Sequence, residues 1–586
     1  MKNKINLISS IIFFLVFQYF MLNFITAKVP FSFSLYIGIL SIVFSIITFL
    51  FYINSIHFLF SLCLFPLMAG AFVSYAYTLA IEAYFFYYLS AVLGFLGLIM
   101  NEEEKKFKKE KFLKIDLFLY FFLLLYILIS IILPYLADKY LMHKESFILH
   151  YFPLRSRGIG NNDVPAGPPL NNYFVIIPAI LIGGLSLIFF YSVIKEKIKK
   201  TAVILLILVG LAFLIKPAVA NMSGFGIKIM QIKAAAQYNT TFYFFAKQYK
   251  DDIIKFVNDY VNVHQPKKEN SHLKGHPPSG VVFYWLIGKL VGFNDMLVAL
   301  IYSLIIAFTV IPLYILTFSI VKDKIAAVFA SLLYAFTPNS AILSVAGTDG
   351  LVVLLISFSL IFIIKYLESF RKMTIFVAGF IWAVASGVTF GILALLPFIF
   401  LFMMTKIYIE NNKYIFVLIK KIMYAILFFV SGFLLYHLIF YLIFPGFNYF
   451  KSFKIAKDTI MDVMDIASRP VSIWVWLNFV HWSEYVTAAA TVLFFYRFFK
   501  KNAFPLDTFS IMSLFIIVST FLSIIGRGEQ HRQWMYLIIF LIPVTATALI
   551  NNINGKWIFD KKTAFVFLII AYLQTIIIEI LISDTL

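Results

Sequence analysis

The residues His276-Pro277-Pro278-Ser279-Gly280 end a long polar stretch and open an apolar one. Two successive prolines fix the backbone of such a corner, and the imidazole beside them is a candidate substrate-binding group. A structural alternative is a rigid entry into a helix, with His276 capping nearby backbone. The apolar segment 281–292 is too short to cross a bilayer, so we expect it to lie at the interface or to re-enter, with Tyr284 and Trp285 at headgroup level.

A carboxylate stands at the start of a later apolar segment, in Gly347-Thr348-Asp349-Gly350. A carboxylate at a membrane boundary can act as a general base or bind a sugar hydroxyl. The structural alternative is that Thr348 or Asp349 caps the helix that begins here, since side-chain oxygens accept orphan backbone N–H groups. Asp251 and Asp252, in the polar stretch before the corner, are further candidates for the catalytic role.

A third polar cluster opens a late apolar segment and contains Glu529, His531 and Arg532. Glu529 and Arg532 are three positions apart, so they share one face if the segment is helical. The planar guanidinium of Arg532 suits a phosphate group. We expect these three side chains to bind substrate. The alternative is that they snorkel toward the membrane surface.

The segment 446–474 alternates apolar residues at near-helical spacing with several basic ones. This pattern predicts an amphipathic surface helix with a basic edge. Its cations could stabilise a departing phosphate, and simple anchoring at the interface is the alternative. The basic residues are Lys451, Lys454, Lys457 and Arg469.

Composition fixes the broad class, because 62% of the 586 residues are hydrophobic and only 13% are charged. Apolar runs long enough to cross roughly 30 Å of hydrocarbon recur along the chain, which indicates an all-α polytopic membrane protein. The only cysteine, Cys63, lies inside such a run, so no disulfide within the chain can form. The net charge of +20 falls largely in loops between the runs. There it sets orientation, and no nucleic-acid partner is expected.

One orientation puts nearly every Lys-rich loop in the cytoplasm. It predicts about 17 spans in the cell membrane, a cytoplasmic N-terminus and an outer C-terminus. The candidate residues and the polar loops 138–173, 218–276 and 446–474 then lie on the extracytoplasmic face. The expected spans are near 7–27, 32–54, 57–79, 82–100, 116–136, 174–194, 201–217, 296–320, 325–339, 350–366, 374–390, 392–409, 422–444, 475–497, 508–526, 534–550 and 563–582.

The corner, the later Asp-Gly at a span start and the Gly-Glu-x-x-Arg-x-Trp cluster together resemble the GT-C superfamily of integral-membrane glycosyltransferases. They are similar to the protein O-mannosyltransferase and lipid A aminoarabinose transferase group. The resemblance covers roughly residues 200–550. We therefore expect a GT-C-like module at 201–586 without a soluble C-terminal domain, and an N-terminal membrane region at 1–200 of unassigned role.

The resemblance implies transfer of a sugar from a polyprenyl-phosphate donor to a glycan, lipid or protein acceptor on the outer face. It implies Asp251, Asp252 and Asp349 as catalytic candidates and His276, Glu529, His531 and Arg532 as substrate-binding candidates. The expected partners are these substrates and membrane lipid. No metal ligands are assigned and no cofactor is firmly implied, although a divalent metal stays an open alternative.

One departure from the family pattern matters for activity. GT-C enzymes usually keep a catalytic Asp early in the first outer loop, where this chain has Tyr238-Asn239-Thr240-Thr241. A catalytically altered relative is therefore one alternative function. The others are a transporter or flippase, which should show charges inside its spans or internal repeats, and an enzyme resembling O-antigen polymerases or ligases.

Overall fold

A computed structural model describes residue 92 and residues 173–581, with gaps at 223–229, 231–241, 267–270, 346, 411–414, 467–478, 480–481, 501–506, 524–533 and 554. The predictions for 1–172, which include the first five spans and loop 138–173, lie outside the described residues. So do Asn239 and the third polar cluster around Arg532.

The described part is almost entirely helical, and its one sheet is a two-stranded antiparallel hairpin. Short 3-10 turns at Tyr173–Ile176, Leu343–Val345, Phe390–Leu395 and Met535–Leu537 adjoin longer helices. The helices are α1 Ile177–Ile194, α2 Thr201–Ala220, α3 Phe242–Gln248, α4 Ile253–Asp259, α5 Ser271–Lys274, α6 Ser279–Val291, α7 Asp295–Ala307, α8 Val310–Val321, α9 Lys324–Phe336, α10 Pro338–Ala341, α11 Thr348–Ser369, α12 Lys372–Ser386, α13 Leu396–Glu410, α14 Ile415–Ile443, α15 Tyr449–Ile466, α16 Ala488–Phe499, α17 Thr508–Ser523, α18 Ile538–Ala548 and α19 Lys561–Leu581. The strands are β1 Ile550–Ile553 and β2 Lys556–Phe559.

Seven helical segments in the described part are long and apolar enough to cross a membrane. They are Phe174–Ile194, Thr201–Ala220, Asp295–Val321, Thr348–Ser369, Phe390–Ile409, Ile419–Ile443 and Lys561–Glu579. Each coincides with a predicted span, so the prediction of a helical membrane protein is confirmed at this level. The total of about 17 spans stays a prediction.

The predicted span near 325–339 is a bent pair of helical segments rather than one straight helix. Helix α9 and the segment Pro338–Val345 meet at 61°. Pro338 explains the break, because proline lacks the N–H that would continue the helix and clashes with the preceding turn. Four further predicted spans coincide with the shorter apolar helices α12, α16, α17 and α18.

The loops rich in Lys and Arg gather at one end of the helical bundle. The Lys324 ammonium donates to the carbonyl oxygen of Lys199, and Lys322 pairs with Glu368 at 3.8 Å. The Lys421 ammonium lies 3.5 Å from the ring centre of Phe370. The described loops among those that the sequence predicts for one side of the membrane therefore lie together. This end is called the basic face below.

The hairpin and the end of α16 belong to the same basic face. The Lys500 ammonium donates to the carbonyl oxygens of Ala548 and Ile550 at 2.8 and 3.2 Å. On β2, the ring of Phe559 packs 5.7 Å from that of Phe329 near the start of α9.

The opposite end of the bundle, called the site face, carries the corner and its neighbours. Two of its helices, α12 and α14, pack closely against each other because each has a glycine at the point of contact. A β-carbon at Gly379 would lie 2.0 Å from the Phe429 carbonyl oxygen, and one at Gly432 would lie 2.0 Å from that of Phe376. Small residues allow such contact between apolar helices. The pair forms one wall of the site face.

Candidate functional site

The corner at His276–Gly280 connects α5 to α6 and is fixed from behind by Tyr260. The Tyr260 hydroxyl lies 2.9 Å from the carbonyl oxygen of Leu273 and 2.7 Å from that of His276. Burial raises the pKa of Tyr260 well above its usual value, so this hydroxyl stays protonated and can donate. The turn is therefore held by buried side-chain hydrogen bonding as well as by its prolines.

The corner is also fixed from the side by the end of α12 and by α14. The backbone N–H of Ser279 donates to the Gly387 carbonyl at 3.1 Å. The Ser279 Oγ lies 2.7 Å from the hydroxyl of Tyr436. The His276 Nδ1 lies 3.3 Å from the Val388 carbonyl oxygen. This last contact agrees with the structural alternative for His276, in which its ring binds nearby backbone, and requires a proton on Nδ1.

The corner touches the start of α11, which carries Asp349. A β-carbon at Gly280 would lie 3.2 Å from Cγ2 of Thr348 and 3.2 Å from the ring of Phe242. Only a residue without a side chain fits there without displacing a neighbour. Asp349, the second residue of α11, is partly exposed at this junction. Two of the three polar clusters found in the sequence therefore meet.

Both helices at this junction begin without a side-chain cap. The N-cap residues are Pro278 for α6 and Gly347 for α11, and neither side chain accepts a backbone hydrogen bond. The structural alternative, in which Thr348 or Asp349 caps α11, is wrong, because the helix already includes both residues. Two uncapped N-termini add positive partial charge at one place, which favours an anionic group there.

Three neighbouring tyrosine rings, called the tyrosine ladder below, lie beside the junction where α6 meets α11. The rings of Tyr284 and Tyr302 stack with their centres 4.8 Å apart, and Tyr243 lies 5.7 Å from Tyr284. The Tyr302 hydroxyl donates to the Gly347 carbonyl at 2.8 Å, and the Tyr243 hydroxyl donates to Asp295 Oδ1 at 2.9 Å. Tyr284 is buried among protein side chains, and the headgroup level expected for Tyr284 and Trp285 stays a prediction.

The electrostatics of the ladder involve Asp349. Burial, together with the nearby charge of Asp349, raises the pKa of Tyr284 above its usual value. Tyr284 therefore stays neutral beside the carboxylate at physiological pH. A neutral phenol already holds its proton, whereas a partly exposed carboxylate can accept one. A substrate proton would therefore pass to Asp349 rather than to Tyr284.

Asp251 and Asp252 lie away from the corner. Asp251 Oδ1 is 3.5 Å from the ammonium of Lys289, and both side chains are exposed. Lys289 is ten residues beyond Ser279 on α6, which is about 15 Å along a helix axis. Asp252 precedes α4 and is also exposed. The structure brings Asp349, not this pair, to the corner.

The third polar cluster lies outside the described residues, but the segment that follows it is described. The Trp534 carbonyl accepts a hydrogen bond from the Trp482 indole at 3.2 Å. The 3-10 turn Met535–Leu537 packs against α11. The residues that directly follow the cluster therefore lie beside α11.

An aromatic group on α14 and α15 was missed by the sequence interpretation. The His437 ring centre lies 4.2 Å from that of Tyr449, whose hydroxyl lies 3.1 Å from Ser386 Oγ. The Nε2 atom of His437 is buried without a hydrogen-bond partner in the described part. Burial raises the pKa of Tyr449 to about 12. The only signal in the sequence was Tyr436-His437 inside an apolar helix.

Among the described residues, no group of three or more His, Cys, Asp or Glu side chains is placed to hold a metal ion. No protein-family model and no curated protein sequence matches the chain. The functional argument therefore depends on the residues themselves.

Proposed function

We propose that the chain is an integral-membrane glycosyltransferase that moves a sugar from a polyprenyl-phosphate donor to a glycan, lipid or protein acceptor. The observation that carries the proposal is the contact between Gly280 and Thr348. It joins the corner to Asp349 at two uncapped helix N-termini. A carboxylate supplies a base, and the helix ends favour a phosphate.

In the proposed reaction, the acceptor hydroxyl oxygen forms a bond to the anomeric carbon of the donor sugar. The bond from that carbon to the phosphate oxygen breaks, and its electron pair leaves with the polyprenyl phosphate. The proton of the acceptor hydroxyl passes to a carboxylate. Asp349 is the candidate base, because it lies beside the corner while Asp251 and Asp252 lie toward the far end of α6. Such a base typically contributes about 10²–10⁴-fold in rate.

The departing phosphate needs positive charge, and the third polar cluster provides it in this proposal. The guanidinium of Arg532 would bind phosphate oxygens with two parallel hydrogen bonds. Glu529 and His531 would bind sugar hydroxyls or orient Arg532. The proposal is supported by the residues that follow the cluster, because Met535–Leu537 packs against α11, the helix that carries Asp349.

We further infer that the basic face is cytoplasmic and the site face extracytoplasmic, in the cell membrane. The support is the clustering of the Lys-rich loops at the end of the bundle opposite the corner. Cytoplasmic loops of membrane proteins carry an excess of Lys and Arg. Donor and acceptor would then meet outside, where a lipid-linked sugar replaces a soluble nucleotide sugar.

The test is a transfer assay on membranes from cells that express the chain, with matched membranes that lack it as control. Each member of a panel of radiolabelled polyprenyl-phosphate sugars is supplied in turn, with Mg²⁺ or with EDTA. We expect one donor to label an acceptor only when the chain is present. Failure with every donor under both conditions would contradict transferase activity and favour a catalytically altered relative, for which Asn239 supplies a reason.

A transporter or flippase is the second candidate, and buried charges favour it. Lys216, Arg497 and Glu579 lie in apolar helices and are at most 4% exposed. The bent pair that breaks at Pro338 adds a discontinuous span, which is common at transporter sites. A vesicle assay separates the two functions: transport moves an intact labelled lipid between leaflets, whereas transfer leaves the label covalently on a new acceptor.

A further inference from the structure

The bent span lies directly behind the candidate site and ends in a short polar segment. After Pro338, the chain makes one turn of helix α10 and the 3-10 turn Leu343–Val345. It then reaches Gly347, where α11 begins. The position of Asp349 therefore depends on what holds this segment in place.

The first contact to this segment comes from a lysine inside a membrane-spanning helix. Lys216 lies on α2 and is 0% exposed. Its ammonium donates to the carbonyl oxygen of Ser340 and, at 2.5 Å, to the Oγ of Ser344. These partners are neutral. A charged group in hydrocarbon is costly and usually marks function, so a lysine is an unexpected choice for a role that a neutral side chain could fill.

Two more hydrogen bonds continue along the segment toward Asp349. The Ser303 hydroxyl donates to the Val345 carbonyl at 2.7 Å, and the Tyr302 hydroxyl donates to the Gly347 carbonyl at 2.8 Å. A β-carbon at Gly350 would lie 2.9 Å from the Cβ of Ser344, so the segment also packs tightly against α11. The carbonyls of Ser340, Val345 and Gly347 thus each accept a hydrogen bond from a side chain on another helix.

We infer that Lys216 is a positioning residue: by binding Ser340 and Ser344 it holds the start of α11, and with it Asp349, against the His276–Gly280 corner. This inference rests on the proposed function for its catalytic consequence, but its structural content stands apart from any activity. The Ser340 carbonyl also accepts from the Ser344 hydroxyl at 2.6 Å. Removing the ammonium therefore leaves that carbonyl with a partner and removes a buried charge.

A matched pair of substitutions separates positioning from general stability. Lys216→Met keeps most of the length of the side chain and removes its donors. Lys216→Gln keeps an N–H₂ donor without the charge. We expect Lys216→Met to unfold at a temperature no lower than that of the wild type, because removing a desolvated charge offsets the lost hydrogen bonds. A clear fall in the melting temperature, repeated in Lys216→Gln, would assign Lys216 a purely structural role.

Disulfide trapping measures the position of α11 without any assay of function. In a Cys63→Ala background, cysteines at Gly280 and Thr348 should form a bond when membranes are oxidised, because these positions are in contact. Lys216→Met should slow this bond roughly tenfold or more, the scale of a lost hydrogen bond to a charged group. Lys216→Gln should slow it less.

The control pair lies on the other side of the same corner. A β-carbon at Gly387 would lie 3.2 Å from the Cβ of Ser279 and 2.5 Å from the Tyr436 hydroxyl, so cysteines at these two positions should also bond once the Tyr436 side chain shifts. In the described part of the chain, the hydrogen bonds of Lys216 go to Ser340 and Ser344 and not to this pair, so we expect its rate to be unchanged in both variants. Equal slowing of both pairs, or no slowing of either, would overturn the inference.

The kinetics of sugar transfer measure the effect of Lys216 on catalysis. Lys216→Met should lower kcat roughly tenfold with little change in KM, since a displaced base affects the transition state more than donor binding. A rise in KM alone would contradict a positioning role. If the wild type transfers no sugar, the proposed function fails, and the trapping experiment still decides whether Lys216 positions α11.

Discussion

Gly280 and Thr348 meet at the first turns of two helices, with 3.2 Å between Cγ2 of Thr348 and the place that a β-carbon would occupy at residue 280. The two residues belong to polar clusters that are far apart in the sequence. Neither helix has a side-chain N-cap. The approach therefore brings two helix N-termini and one carboxylate to a single place, which a phosphate and an acceptor hydroxyl could share.

The first prediction concerns this contact. Gly280→Ala adds a β-carbon 3.2 Å from both Thr348 and Phe242, so α6 and α11 must separate by a few tenths of an ångström. We expect sugar transfer to fall by roughly tenfold, because small displacements of reacting groups have large effects on rate. Gly275→Ala is the matched control, since nothing lies within 4 Å of its added β-carbon. Equal activity in the two variants would show that the contact is not critical.

The second prediction concerns orientation. Lys457 on α15 and Lys556 on β2 are both exposed and lie at opposite ends of the bundle. With Cys63→Ala as background, a cysteine at 457 should react with an impermeant maleimide in intact cells. A cysteine at 556 should react only after lysis. The reverse pattern would turn the protein over in the membrane and put the corner in the cytoplasm.

The third prediction concerns the contact between α6 and α14. Ser279 Oγ and the Tyr436 hydroxyl, 2.7 Å apart, form a partly buried hydrogen bond. A double-mutant cycle with Ser279→Ala and Tyr436→Phe should give a coupling of about 0.5–1.5 kcal/mol in the free energy of unfolding. The measurement is denaturation of the purified protein in one detergent. Additive single effects would mean that the two hydroxyls do not interact in solution.

The sequence was sufficient for features that depend on local pattern. The amphipathic helix expected within 446–474 is confirmed as α15. The seven long spans follow from apolar length alone. Positive charge marks one side of a membrane, and contacts such as Lys324 to Lys199 agree with the predicted grouping of the Lys-rich loops that the structure describes.

Features that depend on contacts between distant segments could not be predicted in this way. The break at Pro338 had a local signal in the proline itself, but the apolar run around it suggested a straight span. The partners of Lys216 and Tyr302 lie on other helices, and no spacing in the sequence relates them. Asp251, Asp252 and Asp349 were all catalytic candidates from the sequence, and the packing of Gly280 against Thr348 brings only the segment of Asp349 to the corner.

The last prediction concerns the base. Asp349→Asn removes the proton acceptor while keeping size and hydrogen bonding, and we expect transfer to fall by about 10²–10⁴-fold. Asp251→Asn and Asp252→Asn are the matched controls, because both residues are exposed and Asp251 pairs with Lys289 toward the far end of α6. An exposed ion pair of this kind contributes at most about 1 kcal/mol, so each control should keep transfer within a few-fold of the wild type.

The comparison is made at saturating donor, with the amount of each variant measured in the same membranes. Loss of transfer in Asp251→Asn or Asp252→Asn, with Asp349→Asn active, would move the base into the loop before the corner. The region around Asp251 would then have to approach the donor during the reaction. If all three variants keep full activity, the proton goes to another group, and Glu529 in the third cluster becomes the carboxylate to replace next.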